Sequence, residues 1–167
     1  MSRYGAPSWL DPRVSPGPSP IDGRGLFARS PIEAGEIVIR LGGEVLTDDE
    51  LSNRALGKYS ALSIGDHLNL LLDDGSPVTL GNHSCDANLW MADEVTLVAK
   101  RRIESGDEIT VDYATHTADR PWSMTCRCGS PACRGVITSD DWQRRDVQQR
   151  YAGHFSPFLN GRIDASR

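Results

Sequence analysis

Lysine, cysteine and long apolar runs are scarce in this chain of 167 residues. Lys58 and Lys100 are the only lysines, and no stretch of about 18 consecutive apolar residues could cross a membrane. The 18 Lys and Arg residues stand against 23 Asp and Glu residues, for a net charge of -5. This balance argues against a broad positive surface, and we therefore expect neither a membrane protein nor a direct partner of nucleic acid.

Residues 1–15 contain no apolar run that could form the core of a signal peptide. We therefore expect an intracellular, cytoplasmic protein, and the lack of nuclear signals is compatible with a bacterial source. In a reducing compartment the four cysteines are more often metal ligands or reactive thiols than disulfides.

Short apolar and β-branched runs alternate with turn residues from Ile21 onward, which predicts a mainly β protein. The predicted strands cover residues 25–28, 36–41, 59–64, 67–72, 95–99 and 109–112. Asp73-Asp74-Gly75 predicts a hairpin turn between residues 68–72 and residues 78–80. Residues 1–20 are rich in proline and glycine, and we expect them to form an arm that is neither helix nor sheet.

Two helices are predicted. Thr47 and Glu50 have the spacing of a capping box, and Gly57 can end the helix that follows. A second helix is predicted over about residues 140–151. Because no helix alternates with each strand, the pattern is a poor fit to a doubly wound parallel sheet.

Cys126, Cys128 and Cys133 form a C-x-C-x4-C cluster with turn residues that let three sulfurs converge. Tetrahedral zinc needs a fourth ligand, and Cys85 is the remaining thiol. A four-cysteine site would tie the C-terminal segment to the middle of the chain. Two alternatives stay open: free or redox-active thiols, and a cysteine hydrolase with Cys85 as nucleophile and His83 as base.

The most informative stretch is Gly-Asn-His-Ser-Cys-Asp-Ala-Asn at residues 81–88. An Asn-His pair alone is more often a structural corner than a functional site. However, Gly-Arg-Gly-Leu precedes it at residues 23–26, Gly-Asp-Glu-Ile-Thr-Val-Asp-Tyr follows at residues 106–113, and the cysteine cluster comes last. In this order and spacing, the chain resembles the SET-domain lysine methyltransferases over about residues 21–135.

The resemblance implies the SET fold, which is mainly β in the α+β class, with short curved sheets and a knot-like C-terminal segment, here with an added C-terminal helix. It divides the chain into an N-terminal arm (1–20), a SET domain (21–116), a post-SET zinc-binding segment (117–137) and a C-terminal helix and tail (138–167). The implied cofactors are S-adenosylmethionine and a structural zinc ion, and the implied substrate is a lysine in a protein or peptide.

The resemblance also implies roles for individual residues. The cofactor would be bound by the backbone of the glycine turn and by the central motif, at Gly23, Arg24, Gly25, Leu26, Asn82 and His83. Tyr113 is the expected catalytic tyrosine, and it would also contact the cofactor. The expected zinc ligands are Cys85, Cys126, Cys128 and Cys133.

Three further aromatic or sulfur-containing residues are weaker candidates. Tyr59 would be a catalytic aromatic of the lysine channel, although core packing explains it equally well. Trp122 and Met124 would cover the adenine, but packing alone is a slightly better account of both. Leu41 stands where the family often has a channel tyrosine. The alternative function is therefore a weak or inactive SET-fold module that binds peptides and is stabilised by zinc.

Overall fold

The computed structural model describes residues 4–54, 61–118 and 120–167. The strands are β1 (Trp9–Leu10), β2 (Val14–Pro18), β3 (Arg24–Ala28), β4 (Ile37–Arg40), β5 (Gly43–Thr47), β6 (Ala61–Gly65), β7 (Leu68–Leu72), β8 (Asn82–His83), β9 (Leu89–Met91), β10 (Thr96–Ala99), β11 (Glu108–Val111), β12 (Ser123–Thr125) and β13 (Val136–Thr138). The helices are α1 (Asp48–Ser52), α2 (Arg145–Arg150) and α3 (Pro157–Ala165), with 3₁₀ turns at Pro77–Leu80, Tyr113–Thr115 and Asp141–Gln143.

The strands form several small sheets. Two four-stranded sheets have the orders β1-β4-β10-β9 and β2-β3-β11-β8, a third has the order β5-β7-β6, and β12 pairs with β13. In the parts of the chain that the structure describes, β8 and β11 pair in parallel, and the other pairings are antiparallel. The prediction of a mainly β protein is confirmed.

Two similar glycine turns connect the four-stranded sheets. The sequences at residues 32–37 and 103–109 both begin with Ile-Glu-x-Gly. The backbones of Ile32 and Ile103 exchange two hydrogen bonds of 3.0 and 2.9 Å. Gly35 and Gly106 have φ angles of 85° and 92°, a region that glycine enters without steric cost. The main hydrophobic core lies around this link and includes residues of both four-stranded sheets.

The prediction that residues 1–20 form neither helix nor sheet is wrong, because β1 and β2 are paired strands. Proline is tolerated in β2 because this strand lies at the edge of its sheet and pairs with β3 alone. Val14 directs its N–H to Asp11 rather than to β3. Pro16 and Pro18 occupy the same alternate positions of β2 as Val14, whose N–H points away from β3. The missing N–H groups of these two prolines therefore remove no hydrogen bond to β3.

The predicted hairpin at Asp73-Asp74-Gly75 is also wrong. After β7 the chain enters the 3₁₀ turn Pro77–Leu80, and a proline suits the first turn of a helix because no N–H is required there. β7 instead pairs with β5 and β6. The tight turn between β6 and β7 contains His67 at a φ of 56°, an uncommon conformation for a residue other than glycine.

The predicted capping box of α1 is confirmed. The Thr47 side chain accepts the Glu50 N–H at 3.2 Å, and the Glu50 carboxylate accepts the Thr47 N–H at 2.8 Å. α1 ends at Ser52, and the predicted stop at Gly57 lies outside the described residues.

The predicted helix over residues 140–151 is divided into a 3₁₀ turn and α2, because Arg144 between them has an extended backbone. Helix α3 was not predicted. Its buried residues Leu159 and Ile163 join a second hydrophobic cluster with Tyr151 and Phe155.

Candidate active site and metal centre

A cavity of about 730 Å³ lies between the β5-β7-β6 sheet, the Pro77–Leu80 turn and the chain that enters β12. Its walls are mainly apolar, and they include Leu41, Leu62 and Val78. The polar groups of the lining include Asp48, Asn69 and His116, together with the backbone of Gly81 and the hydroxyl-bearing ring of Tyr113. Apolar clefts with a few convergent polar groups are typical of small-molecule and side-chain binding sites.

Tyr113 lies at the wall of this cavity, in the 3₁₀ turn that follows β11, and is 6% exposed. Its hydroxyl donates a hydrogen bond of 2.9 Å to the Gly81 carbonyl, and its N–H donates one of 3.1 Å to His83 Nδ1. The ring packs edge-on against Trp122 at a centroid distance of 6.3 Å. The parallel pairing of β8 with β11 therefore brings the central motif and the tyrosine together.

Asn82 connects the glycine turn to the central motif. Its amide nitrogen lies within hydrogen-bond distance of four acceptors: the Glu108 carboxylate at 2.8 Å, the Ser19 hydroxyl at 3.0 Å, the Arg24 carbonyl at 3.1 Å and the Asp22 carbonyl at 3.2 Å. An amide donates only two hydrogens, so Asn82 can satisfy two of these four oxygens at a time, and the Ser19 hydroxyl donates to the Glu108 carboxylate as well. This acceptor cluster combines a carboxylate with two backbone carbonyls, a set of oxygens that suits a ligand with several N–H groups.

Glycine is required at Gly25, next to this cluster. A Cβ atom there would lie 2.1 Å from Glu108 Oε1 and 3.0 Å from Asn82 Nδ2. The backbone of the turn is therefore approached closely by the two side chains that surround the acceptor cluster.

His83 is buried and neutral. Its Nδ1 accepts the Tyr113 N–H, which places the ring proton on Nε2, and Nε2 lies 3.3 Å from Cys85 Sγ. Burial lowers the pKa of His83 to about 4 because the charged imidazolium loses its water, although the charge of Asp112 opposes the shift. His83 therefore orients two neighbours at neutral pH and carries no charge there.

The four thiols predicted as zinc ligands are brought together. The Sγ atoms of Cys85, Cys126, Cys128 and Cys133 all lie within 4.8 Å of one another. The Sγ atoms of Cys85 and Cys126 are 3.8 Å apart. Tetrahedral zinc with bonds of about 2.3 Å requires sulfur separations of about 3.8 Å. The donor set and its dimensions therefore fit one tetrahedral zinc ion.

Burial favours the protonated form of two of these thiols. It raises the pKa of Cys85 to about 11 and raises that of Cys126 further, because the thiolate is poorly solvated there. A bound metal ion would reverse this and hold the thiolates ionised. The hydrolase alternative is disfavoured by the same geometry, since Cys85 is 0% exposed and its sulfur faces other thiols instead of the cavity.

The other predicted site residues are placed as follows. Trp122 and Met124 line the cavity, and both are partly buried against the main core. Leu41 lines it as well. Leu26 is 0% exposed and belongs to the main core, so only its backbone could contact a ligand. Tyr59 lies outside the described residues.

Sequence reasoning missed two polar residues of the site. Glu108 accepts hydrogen bonds from Ser19 and Asn82, and its place inside the motif at residues 106–113 was the signal that could have identified it. His116 lines the cavity, with its ring centroid 5.9 Å from that of Tyr113. Burial lowers its pKa to about 4. The position of His116 in the sequence, three residues after Tyr113, was the signal that could have identified it as a site residue.

Comparisons with known proteins agree with this geometry. The family model of the SET domain matches residues 23–114. Histone-lysine N-methyltransferase ash1 of Drosophila melanogaster is 34% identical over an alignment of 131 residues, and the match covers 69% of this chain and 6% of that protein. Histone-lysine N-methyltransferase 2B of Homo sapiens is 32% identical over an alignment of 135 residues, and the match covers 71% of this chain and 5% of that protein. The chain thus spans a small part of these relatives.

Solved structures show the same fold. The methyltransferase domain of human histone-lysine N-methyltransferase SETMAR superimposes with a TM-score of 0.62 at 21% identity, over 75% of this chain and 58% of that one. Arabidopsis thaliana SUVH6, solved in complex with SAM, gives a TM-score of 0.63 at 20% identity, over 73% of this chain and 32% of that one.

Among the described residues, none of the helices combines the length and the apolar character that a membrane span requires. Because the family model covers more than half of its residues, this chain belongs to the SET-domain family.

Proposed function

We propose that the protein is a protein-lysine N-methyltransferase that uses S-adenosylmethionine as its methyl donor. The observation that carries the proposal is the position of Tyr113, whose hydroxyl meets the Gly81 carbonyl at the wall of the apolar cavity, next to the motif that contains Asn82 and His83. The relatives whose names describe histone-lysine N-methyltransferases support the same reaction.

The residues around Asn82 fit the cofactor. S-adenosylmethionine carries an ammonium group, and the negative carboxylate of Glu108 together with the carbonyl oxygens of the turn suits its charge and its N–H groups. Gly25 lets the side chains of Glu108 and Asn82 lie close to the backbone of the turn, so that the acceptor cluster lies beside the residues proposed to bind the methionine portion. We therefore propose the turn of Gly23, Arg24 and Gly25, the backbone of Leu26, and Asn82, His83 and Tyr113 as cofactor-binding residues, with Trp122 and Met124 beside the adenine.

The apolar walls address the main obstacle to the reaction. A free lysine has a pKa near 10.4, so less than about 0.1% is neutral at pH 7, a deficit of about 4–5 kcal/mol. Burial among Leu41, Leu62 and Val78 would lower that pKa by desolvation, so no dedicated base is required. When bound, S-adenosylmethionine supplies an electrophilic methyl group on a sulfonium.

Tyr113 would orient the amine. Because its hydroxyl donates its proton to the Gly81 carbonyl, its oxygen acts towards an entering amine as a hydrogen-bond acceptor. This fixes one N–H of the amine and directs the nitrogen lone pair. We keep Tyr59 as a second proposed catalytic aromatic of the channel.

The proposed substrate is a lysine-containing protein segment. The edge strands β5 and β6 belong to the sheet that lines the cavity, and an extended peptide can add to such an edge through backbone hydrogen bonds.

We also propose a structural zinc ion on Cys85, Cys126, Cys128 and Cys133, and an intracellular, cytoplasmic location, where thiols stay reduced. The proposed units are the SET domain (21–116), the post-SET segment (117–137) and the C-terminal part (138–167), preceded by residues 1–20.

The test is transfer of labelled methyl groups from S-adenosylmethionine to a histone mixture. We expect Tyr113→Phe to reduce the turnover of the zinc-replete protein by roughly 10²-fold, the size typical for loss of one positioned polar group. The matched control is Tyr4→Phe, since Tyr4 packs against the smaller cluster of Leu62 and Leu70. Equal labelling by Tyr113→Phe and the wild type would remove Tyr113 from its assigned role.

A peptide-binding module without activity is the second candidate, and Leu41 at the cavity wall favours it, since the family often has a tyrosine there. Calorimetry with S-adenosylmethionine separates the two. Saturable binding to zinc-replete protein supports the enzyme, whereas no heat signal together with peptide binding supports the module.

A further inference from the structure

A closed ring of contacts joins the thiol cluster to the tyrosine. Cys85 Sγ lies 3.3 Å from His83 Nε2, and His83 Nδ1 accepts the Tyr113 N–H at 3.1 Å. Asp112 precedes Tyr113 in the chain, and both of its carboxylate oxygens accept hydrogen bonds of 2.8 Å from the guanidinium of Arg134. The backbone N–H of Arg134 returns to Cys85 Sγ at 3.3 Å.

The ion pair in this ring is fully enclosed. The side chains of Asp112 and Arg134 are 0% and 3% exposed, and the guanidinium also binds Asp141 at 2.7 Å. A buried pair is costly to desolvate, and its geometry must be good for the charges to remain. The planar guanidinium matches both carboxylate oxygens at once, which a lysine ammonium cannot do.

Asp112 also fixes the turn that carries the tyrosine. Its Oδ1 accepts the N–H of Ala114 at 3.1 Å, and it is the N-cap of the 3₁₀ turn whose first residue is Tyr113. The guanidinium holds the carboxylate, the carboxylate holds the turn, and the turn sets the direction of the Tyr113 ring. The Asp112 and Arg134 side chains lie outside the lining of the cavity, which Tyr113 does line.

We propose that Arg134 is a positioning residue that couples the state of the cysteine cluster to the placement of Tyr113. Arg134 lies between the zinc ligand Cys133 and the turn glycine Gly135, so its backbone follows the cluster while its side chain reaches the tyrosine turn. The catalytic consequence rests on the proposed function, whereas the coupling itself does not.

The primary test is amide hydrogen exchange, followed by NMR on zinc-loaded protein. In Arg134→Lys the charge remains but the two-pronged contact is lost. We expect the Tyr113 and Ala114 amides to exchange at least about tenfold faster, while the amides of β4 keep their wild-type rates. Arg145→Lys is the matched control, because Arg145 is an exposed arginine of α2. Wild-type exchange at Tyr113 in Arg134→Lys would overturn the proposal.

A triple variant guards against a folding defect. Asp112→Asn and Asp141→Asn combined with Arg134→Met remove all three charges of this cluster, so none of them stays buried without its partner, and the asparagine oxygen at position 112 can still cap the turn. We expect this variant to hold one zinc ion, as measured by chelator-released metal, and still to show the faster Tyr113 exchange. Wild-type exchange in this zinc-loaded variant would also contradict the proposal.

Activity provides the second readout. For Arg134→Lys we expect kcat to fall about tenfold or more with a smaller change in the KM for peptide, because misplacement of an orienting group affects the transition state most. Wild-type kcat in a zinc-loaded Arg134→Lys would contradict the coupling. If the wild type itself transfers no methyl group, the proposed function fails, and the exchange experiment still decides the role of Arg134.

Discussion

The loop at residues 84–88 is held from two sides by contacts of different kinds. On one side, Cys85 meets the other three thiols and the backbone of Arg134. On the other side, Tyr151 of the C-terminal part contacts the loop, since its hydroxyl accepts the N–H of Ala87 at 3.2 Å and its ring lies in the apolar cluster that includes Ala87. Arg150 donates to the Cys85 carbonyl.

The two sides differ in what they require. Burial raises the pKa of Cys85, so this thiol stays protonated without a metal ion, whereas a bound cation would hold the thiolates ionised and join the four sulfur atoms. The C-terminal side consists of ordinary apolar packing and hydrogen bonds, which contribute in small increments and need no ligand. The strength of the attachment through the sulfur atoms would therefore depend on a metal ion. The attachment through Tyr151 would instead weaken in small steps as single contacts are removed.

Removal of the metal should have the largest effect. We expect a strong chelator to lower the midpoint of thermal unfolding by more than about 10 °C, because structural zinc contributes on the order of 10 kcal/mol in small peptides. Methyl transfer should be lost, whereas the far-UV signal of α2 and α3 should persist. The measurements are circular dichroism and released zinc, with recovery on zinc addition.

Cys133→Ser is the matched genetic variant, because Cys133 is the exposed member of the four proposed ligands and its replacement leaves the core unchanged. Loss of the helical signal together with the metal would show that the C-terminal helices depend on the sulfur side of the loop. This result would contradict the expectation that the two sides of the loop are independent.

Removal of the Tyr151 ring should have the next largest effect. Tyr151 is 0% exposed, so Tyr151→Ala should reduce the free energy of unfolding by about 3–5 kcal/mol. Tyr151→Phe keeps the ring and leaves only the Ala87 N–H without its acceptor, for a loss of about 1–3 kcal/mol. Urea unfolding measures both values.

In folded protein, both Tyr151 variants should retain one zinc ion. Zinc loss from Tyr151→Phe at urea concentrations below the unfolding transition would mean that Tyr151 positions the proposed ligand Cys85. This result would contradict the expectation that the two sides of the loop are independent.

The sequence predicted what its local motifs determine. The capping box at Thr47, the strands around β3 and β11 and the four-thiol cluster all follow from residues close in the chain or from one rare residue type. The hairpin at residues 73–75 failed because the following proline favours a helical turn, and the strand β2 was missed because edge positions tolerate proline.

The polar connections of the site were not predictable in this way. Ser19 and Glu108 are separated by 89 residues, and Tyr151 and Ala87 by 64. Glu, Ser and Arg occur on every surface, so a single sequence offers no sign of which of them meet in the fold. The motifs located Cys85 and Tyr113, but only the fold shows that Arg134 and Asp112 connect these two residues.

Acid should reveal a smaller contribution from His116. Its pKa in the folded protein is about 4, below the ordinary 6.5, because burial disfavours the charged ring. Between these values the unfolded chain binds the proton first, so stability falls as the pH decreases from about 6.5 towards 4. His116→Gln removes this titration and should flatten the decline by on the order of 1–3 kcal/mol.

Urea unfolding at about pH 7 and pH 5, with zinc retained at both, measures the difference between the two proteins. A residual slope is expected in the variant, because burial lowers the pKa of His83 in the same direction. An identical pH dependence in the wild type and in His116→Gln would contradict the assignment.

The smallest effect is expected at the contact between α3 and the β6–β7 hairpin. Arg162 forms an ion pair of 2.7 Å with Asp66, whose side chain is 77% exposed, and its guanidinium lies 4.3 Å from the ring centre of Phe158. Asp66→Asn should therefore cost less than about 0.5 kcal/mol, since exposed ion pairs contribute little and are screened by salt.

Arg162→Ala should cost more than Asp66→Asn, because it also removes the stacking on Phe158 and the packing of the aliphatic stem. Unfolding at low salt and at about 0.5 M salt separates the two contributions, and only the ion pair should weaken. If Asp66→Asn destabilised the protein more than Arg162→Ala, the ion pair instead of the apolar contact would hold α3 to the β6–β7 hairpin. The C-terminal part would then depend on charge at this contact, as the sulfur side of the loop at residues 84–88 does.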